Sequence, residues 1–112
     1  MNTVMKVNKN ELSIDKNTIK FNYDIRATRI FKEQIIVLLS IPFDVDETAN
    51  IYAISWNCKI LWRVEKREPN SCNLPFENIF LKDGLLTATD FYGRRYFINT
   101  ANGSIERKDT VK

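Results

Sequence analysis

The sequence contains no histidine. That absence removes the side chain most often used as a general base near neutral pH, and the commonest metal ligand with it. Cysteine is scarce: Cys58 and Cys72 stand alone, without the paired spacing of a structural zinc site. No stretch matches a glycine-rich nucleotide loop, a serine-nucleophile elbow or a zinc-protease helix motif. Catalysis would have to rely on Asp, Glu, Lys or Tyr gathered by folding. The sequence therefore reads as a non-catalytic protein with no catalytic residues, no metal and no cofactor.

Long hydrophobic runs are missing as well. The longest, Ile35–Leu39, is far too short to span a bilayer, and the opening MNTVMKVNKNELS lacks the apolar centre of a signal peptide. A cytoplasmic protein with no membrane partner is expected. Spacing alone fixes no distance between Cys58 and Cys72, and a reducing compartment favours two free thiols. Glycine and proline number only three each, which leaves Asn and Asp to make most turns. The net charge of +3 is far from the dense basic stripe of a dedicated nucleic-acid binder.

What the chain does have is apolar and aromatic surface. Seven Phe, four Tyr and two Trp in 112 residues supply one core, hence one domain over residues 1–112. Alternating apolar residues in Ile51–Trp56 and Ile60–Glu65 flank Asn57-Cys58-Lys59, a hairpin signal. Cys58 is a poor stand-in for the glycine of a two-residue turn, so a three-residue turn with a bulge is expected. Val4–Val7, then Glu11–Ile14 and Thr18–Tyr23 around Asp15-Lys16-Asn17, read as further strands. So do Leu85–Asp90 after Asp83-Gly84, Arg94–Asn99 after Phe91-Tyr92-Gly93, and Ser104–Lys108 after Ala101-Asn102-Gly103.

Two stretches stay open. Ile25–Ile41 is either two strands, Ile25–Phe31 and Gln34–Ile41, turning at Lys32-Glu33, or a helix with Ile30, Phe31, Gln34, Ile35 and Leu38 on one face. The β-branched run closed by Pro42 favours the strands. Phe76–Leu81 is a strand or a single helical turn. Pro42–Asn50 and Lys66–Pro75 are the long connections. YAISWNCKI and YFINTANGSI echo one another as strand-turn-strand units, which indicates a meander rather than a propeller. About eight to ten short strands imply an all-β domain, with one short helix at most, folded as an antiparallel β-meander into a sandwich or a partly open barrel. Phe21, Tyr23, Ile35, Val37, Leu39, Tyr52, Ile54, Ile60, Trp62, Val64, Ile79, Leu86, Ala88 and Ile98 are the expected core.

The candidate functional residues lie at turns and loops. Asp44, Asp46 and Glu47 form an acidic loop able to meet basic residues of a partner, or simply to solvate the loop. No calcium-loop spacing surrounds them. Trp56, next to a turn, is a candidate interface anchor or a residue at the rim of the core. Arg94 and Arg95, with Arg63, Lys66 and Arg67, are the basic candidates, and Phe91, Tyr92 and Tyr96 interleave aromatic groups with them, as a surface for single-stranded nucleic acid would or as an ordinary solvated strand face does. Adjacent residues of a strand point to opposite faces, however, which divides Arg94 from Arg95.

From IIVLLSIPFDVDETANIYAISWNCKILWRVE through LPFENIFLKDGLLTATDFYGRRYFINTANGSI, the chain resembles small single-domain all-β bacterial immunity proteins. Some of these accompany contact-dependent growth inhibition or other polymorphic toxins. The marks are the buried run before a long loop, NIYAI opening the hairpin, ILWRV returning, the Asp-Gly turn and the late GRRYFIN hairpin, across residues 34–106. The resemblance implies a protein that binds one cognate toxin domain, a nuclease in the leading reading, and occludes its active site. Such families share no fixed interface residues. From position and residue type the expected partner-binding set is Asp44, Asp46, Glu47, Trp56, Phe91, Tyr92 and Arg94. Immunity proteins against nucleases are often acidic, and this chain departs from that with its mild positive charge. The second reading is a small β-domain that binds single-stranded nucleic acid through its Arg and aromatic side chains.

Overall fold

A computed structural model describes residues 4–42, 44–67 and 74–110. Eleven strands account for most of them, and no helix occurs among the described residues. β1 (Met5–Asn8), β2 (Glu11–Ile14) and β3 (Asn17–Lys20) form one antiparallel sheet. β4 (Ile25–Phe31), β5 (Gln34–Leu39), β6 (Ile51–Ser55) and β7 (Ile60–Arg63) form a second. β8 (Phe76–Lys82), β9 (Leu85–Asp90), β10 (Arg94–Ile98) and β11 (Ile105–Thr110) form the third. Within each sheet, neighbours in space are neighbours in sequence, so all three are meanders. The two-strand reading of Ile25–Ile41 holds over its helical alternative, and Phe76–Leu81 lies in a strand.

The second sheet is the middle layer. Ile35, Val37 and Leu39 of β5 pack with Ile54, Leu12, Ile14 and Phe21 on the side of the first sheet. Ile36 and Leu38 pack with Ile51, Ala53, Trp62, Ile79, Leu86, Ala88 and Ile98 on the side of the third. A strand buried on both faces needs an unbroken apolar sequence, and IIVLL is that sequence. The same run offers a helix-like pattern only because every position is apolar. An isolated helix there would waste two apolar faces that the sheets on either side fill.

Turn chemistry follows the shortage of glycine. At Asp83-Gly84 both residues have positive φ, 53° and 77°, as a type I′ hairpin turn requires. Elsewhere Lys9, Asp15, Lys32 and Cys58 take positive φ without being glycine. Cys58 ends a three-residue loop, Trp56-Asn57-Cys58, closed by Ser55 N–H to Lys59 C=O at 2.8 Å. A bulge lies further along, inside the return strand. Ala53 pairs with Trp62 and Ile54 with Ile60, leaving Leu61 over. This corrects one expected core position: Ile60 is 54% exposed. The bulge breaks the period of two, so Ile60 does not share the buried face of Trp62.

Two contacts lock the middle sheet to the third. Trp62 Nε1 donates to Thr100 C=O at 2.8 Å, and Gly103, at φ +80°, lies so close that a Cβ there would stand 2.5 Å from the indole ring. At the other end Asn50, buried just before β6, acts as a length of strand made from a side chain. Its amide NH2 donates to Leu39 C=O (2.8 Å) and Phe76 C=O (2.9 Å), while its Oδ1 accepts from Phe76 N–H (2.9 Å).

Candidate functional site

The end of the molecule marked by Asn50 is also where the turn Phe91-Tyr92-Gly93 projects. β9 ends at Asp90, whose side chain is fully buried. Oδ1 of Asp90 accepts from the backbone N–H groups of Tyr92 (3.0 Å) and Arg94 (3.1 Å). Oδ2 accepts from Arg94 Nε at 2.8 Å and lies 3.6 Å from Arg67 Nη1. The carboxylate thus shapes the turn with one oxygen and holds two guanidinium groups with the other.

Each guanidinium supports a ring. Arg94 lies against Tyr92, 5.0 Å from the ring centroid. Arg67 lies between Phe76 (4.1 Å) and Tyr96 (4.9 Å), and its Nη2 donates to the carbonyls of Thr48 and Leu74. Phe76 and Tyr96 meet edge to face at 5.2 Å. Beyond this base Phe91 and Tyr92 stand 70% and 55% exposed. Tyr92, held on its cation–π contact with Arg94 above the buried Asp90, loses little side-chain freedom when a partner covers it, and Phe91 meets the Tyr92 ring edge to face at 6.0 Å.

Beside the turn opens a pocket of about 340 Å³, lined among the described residues by Ile41, Pro42, Leu74, Pro75, Phe76, Phe91 and Tyr92, with Ser40, Arg26 and Glu77 as its polar members. Apolar walls with a few polar groups and a volume of this order are what small binding pockets have. The acidic loop begins at its rim, since Asp44 comes two residues after Pro42.

The expected partner-binding set is therefore partly gathered and partly dispersed. Phe91, Tyr92 and Arg94 share one turn, and Asp44 and Asp46 are exposed on the loop leaving the same pocket. Glu47 is engaged internally: Oε1 accepts from Arg63 Nη2 at 2.8 Å and from Ala49 N–H at 3.2 Å. Trp56 lies at the opposite end of the middle sheet, beyond Ser55, which pairs with Gln34 at the start of β5. It packs against the cluster of Leu12, Ile35 and Ile54, the core-rim alternative. Arg94 and Arg95 do face opposite sides. Arg95 pairs with Asp109 on the outer face of the third sheet (2.7 and 2.9 Å), above a buried Phe97 that also carries Arg107. Cys58 is a free thiol; Cys72 lies outside the described residues. What sequence reading missed is Asp90 and the pocket, and that Arg67, counted there with the basic surface candidates, is buried against Asp90. Asp90 carries one signal, an Asp three residues before Gly93 at the end of an alternating strand, the place of an Asx turn. The burial of Arg67 carries none.

Burial alone would raise the Glu47 carboxyl, but the hydrogen bonds from Arg63 and Ala49 N–H and the charges of Arg63 and Lys66 together hold it below the ordinary glutamate value. The stability it contributes is present at neutral pH and is lost as the pH falls through the depressed midpoint. In an NMR titration the Glu47 midpoint should lie below that of a free glutamate and rise in Arg63→Gln. An unchanged midpoint in that variant would rule out Arg63 as the cause.

A family described as a domain of unknown function (DUF7957) matches residues 1–110. The chain belongs to that family. The match covers all three sheets, so the turn at Phe91 and the pocket beside it both lie inside the family domain. No curated protein matches the chain. Among the described residues no helix is long and apolar enough to cross a membrane, and no group of three potential metal ligands occurs.

Proposed function

We propose that this protein is a non-catalytic binding module of the cytoplasm that neutralises a cognate toxin domain, as the immunity proteins it resembles do, by stoichiometric occlusion of the toxin's active site. The observation that carries this reading is the pair of exposed rings, Phe91 and Tyr92, on a turn shaped by Asp90, with Tyr92 resting on Arg94, beside an apolar pocket. Binding energy at protein interfaces concentrates in a few aromatic and Arg anchors seated in desolvated pockets. Asp44 and Asp46 adjoin this surface and would steer a basic partner, such as the substrate cleft of a nuclease, without being its main anchors. Arg94, Arg95, Arg63 and Arg67 each engage a carboxylate of the protein itself, which favours a protein partner over nucleic acid.

The test is co-expression of the chain with the C-terminal domain of whatever protein is encoded directly upstream of it. Growth should be restored by the wild-type chain. The Phe91→Ala, Tyr92→Ala double variant should bind the toxin at least roughly a hundredfold more weakly, since each ring is a candidate hot spot. Both rings are largely exposed, so the variant should remain folded by circular dichroism. A folded double variant with unchanged affinity would remove the proposed surface, and a harmless neighbour or absent rescue would remove the immunity reading.

A further inference from the structure

Two of the four β-bulges among the described residues deliver charge to the same pocket. Where β4 pairs with β5, Ile25 faces Leu39 and Ala27 faces Leu38, leaving Arg26 as the extra residue. Where β8 pairs with β9, Phe76 faces Asp90 and Asn78 faces Thr89, leaving Glu77 over in the same way. A bulge takes one residue out of strand alternation and re-aims its side chain, and bulges recur beside functional sites for that reason. β8 packs against β4, which sets the two bulges side by side. Arg26 and Glu77 are the charged members of the pocket lining among the described residues. Neither makes an ion pair with a described residue, in contrast to Arg63, Arg67, Arg94 and Arg95.

An apolar cavity with one cation and one anion at its wall is selective in a definite sense. Its rings and prolines favour a large apolar side chain, and its two charges favour an occupant that carries the opposite pair. From this geometry we infer that the pocket receives an apolar anchor residue of a protein partner flanked by one acidic and one basic residue, the acid meeting Arg26 and the base meeting Glu77. The inference deepens the partner-binding reading and rests on it for the occupant being a protein. A volume of about 340 Å³ accommodates a side chain as large as tryptophan. Complementary charge would then fix the direction in which the partner segment crosses the pocket.

The test uses the full chain, labelled with ¹⁵N, and capped tripeptides at millimolar concentration. Ac-Glu-Trp-Lys-NH2 and Ac-Lys-Trp-Glu-NH2 are the probes, with Ac-Gln-Trp-Gln-NH2 and Ac-Glu-Ala-Lys-NH2 as controls. One charged Trp peptide should give saturable shifts at the amides of Glu77, Phe91 and Tyr92. The uncharged Trp peptide should bind roughly tenfold more weakly, the loss expected for charge-assisted contacts, and the Ala peptide should leave the spectrum unchanged. In the Arg26→Glu, Glu77→Lys double variant, at two surface-accessible bulge positions, the preference should pass to the peptide of reversed order. Equal binding of the charged and uncharged Trp peptides, or no shift with any of them, would overturn the assignment. Growth rescue is read separately. A chain that rescues yet ignores every peptide keeps the toxin reading and loses the pocket, and one that binds peptides without rescuing does the reverse.

Discussion

Asn50→Ala is expected to lower the free energy of unfolding by about 4 kcal/mol, because it strips buried backbone groups of their partners at roughly 1–3 kcal/mol each. The side-chain amide of Asn50 bonds Leu39 of the middle sheet and Phe76 of the third at once. Phe76 begins β8 at a point where its N–H and C=O both face that side chain. Alanine fills none of this, and the Leu39 and Phe76 carbonyls and the Phe76 N–H all lose the side chain that bridges them. Asn50→Asp should not rescue the loss. It keeps the shape but turns the donor NH2 into an acceptor facing two carbonyl oxygens. Urea unfolding with a constant slope would measure the effect, and a loss below about 1 kcal/mol would show that the bonds are replaced by other means.

Asp90→Ala should cost a comparable amount, about 3–5 kcal/mol, the range for removing one partner of a buried ion pair. The reason lies less in the lost attraction than in what stays behind. The Arg67 side chain is only 6% exposed. Its Nη1 has no hydrogen-bond partner among the described residues, only the ionic contact with Asp90. Without the carboxylate a guanidinium remains buried between Phe76 and Tyr96 with its charge uncompensated. Asp90→Asn separates the two roles of the residue. Its Oδ1 can still accept from the Tyr92 and Arg94 N–H groups, so the turn should persist and the loss should be smaller than for alanine. A structural signature accompanies the energetic one. Tyr92 rests on Arg94 and Phe76 on Arg67, so in Asp90→Ala the side-chain resonances of both rings should broaden or shift while those of Trp56, at the far end, should not. Equal stability of Asp90→Ala and the wild type would show that burying the Arg67 charge without Asp90 carries no cost.

The consequence for function is that stability and recognition share one residue. Asp90 sets the shape of the turn that exposes Phe91 and Tyr92, and through Arg67 it also sets the ring that forms a wall of the pocket. Tyr92, resting on Arg94, is thus held in place before a partner arrives, so covering that ring removes little side-chain entropy.

Strands and turns were legible in the chain alone. Period-two alternation around Asn57, Asp83-Gly84, Gly93 and Gly103 places hairpins wherever the next strand must return, and a meander needs nothing beyond such local signals. Local spacing also put Phe91, Tyr92 and Arg94 together, because three of four successive residues in a tight turn cannot be far apart. Everything that depends on which sheet covers which face had to wait for the folded layers. IIVLL is equally apolar in a helix, a sandwich or a middle layer, and only the two flanking sheets explain burial at both Ile35 and Ile36. Bulges set the exposure of Ile60 and brought Arg26 and Glu77 to one pocket. A single extra residue in a strand leaves no mark in composition, yet it reverses the face of every later residue in that strand. Asp90 and Arg67 meet across a gap of 23 positions for the same kind of reason. Charge attraction is blind to sequence distance, and it acts only after the hydrophobic layers have brought its partners into one dry place.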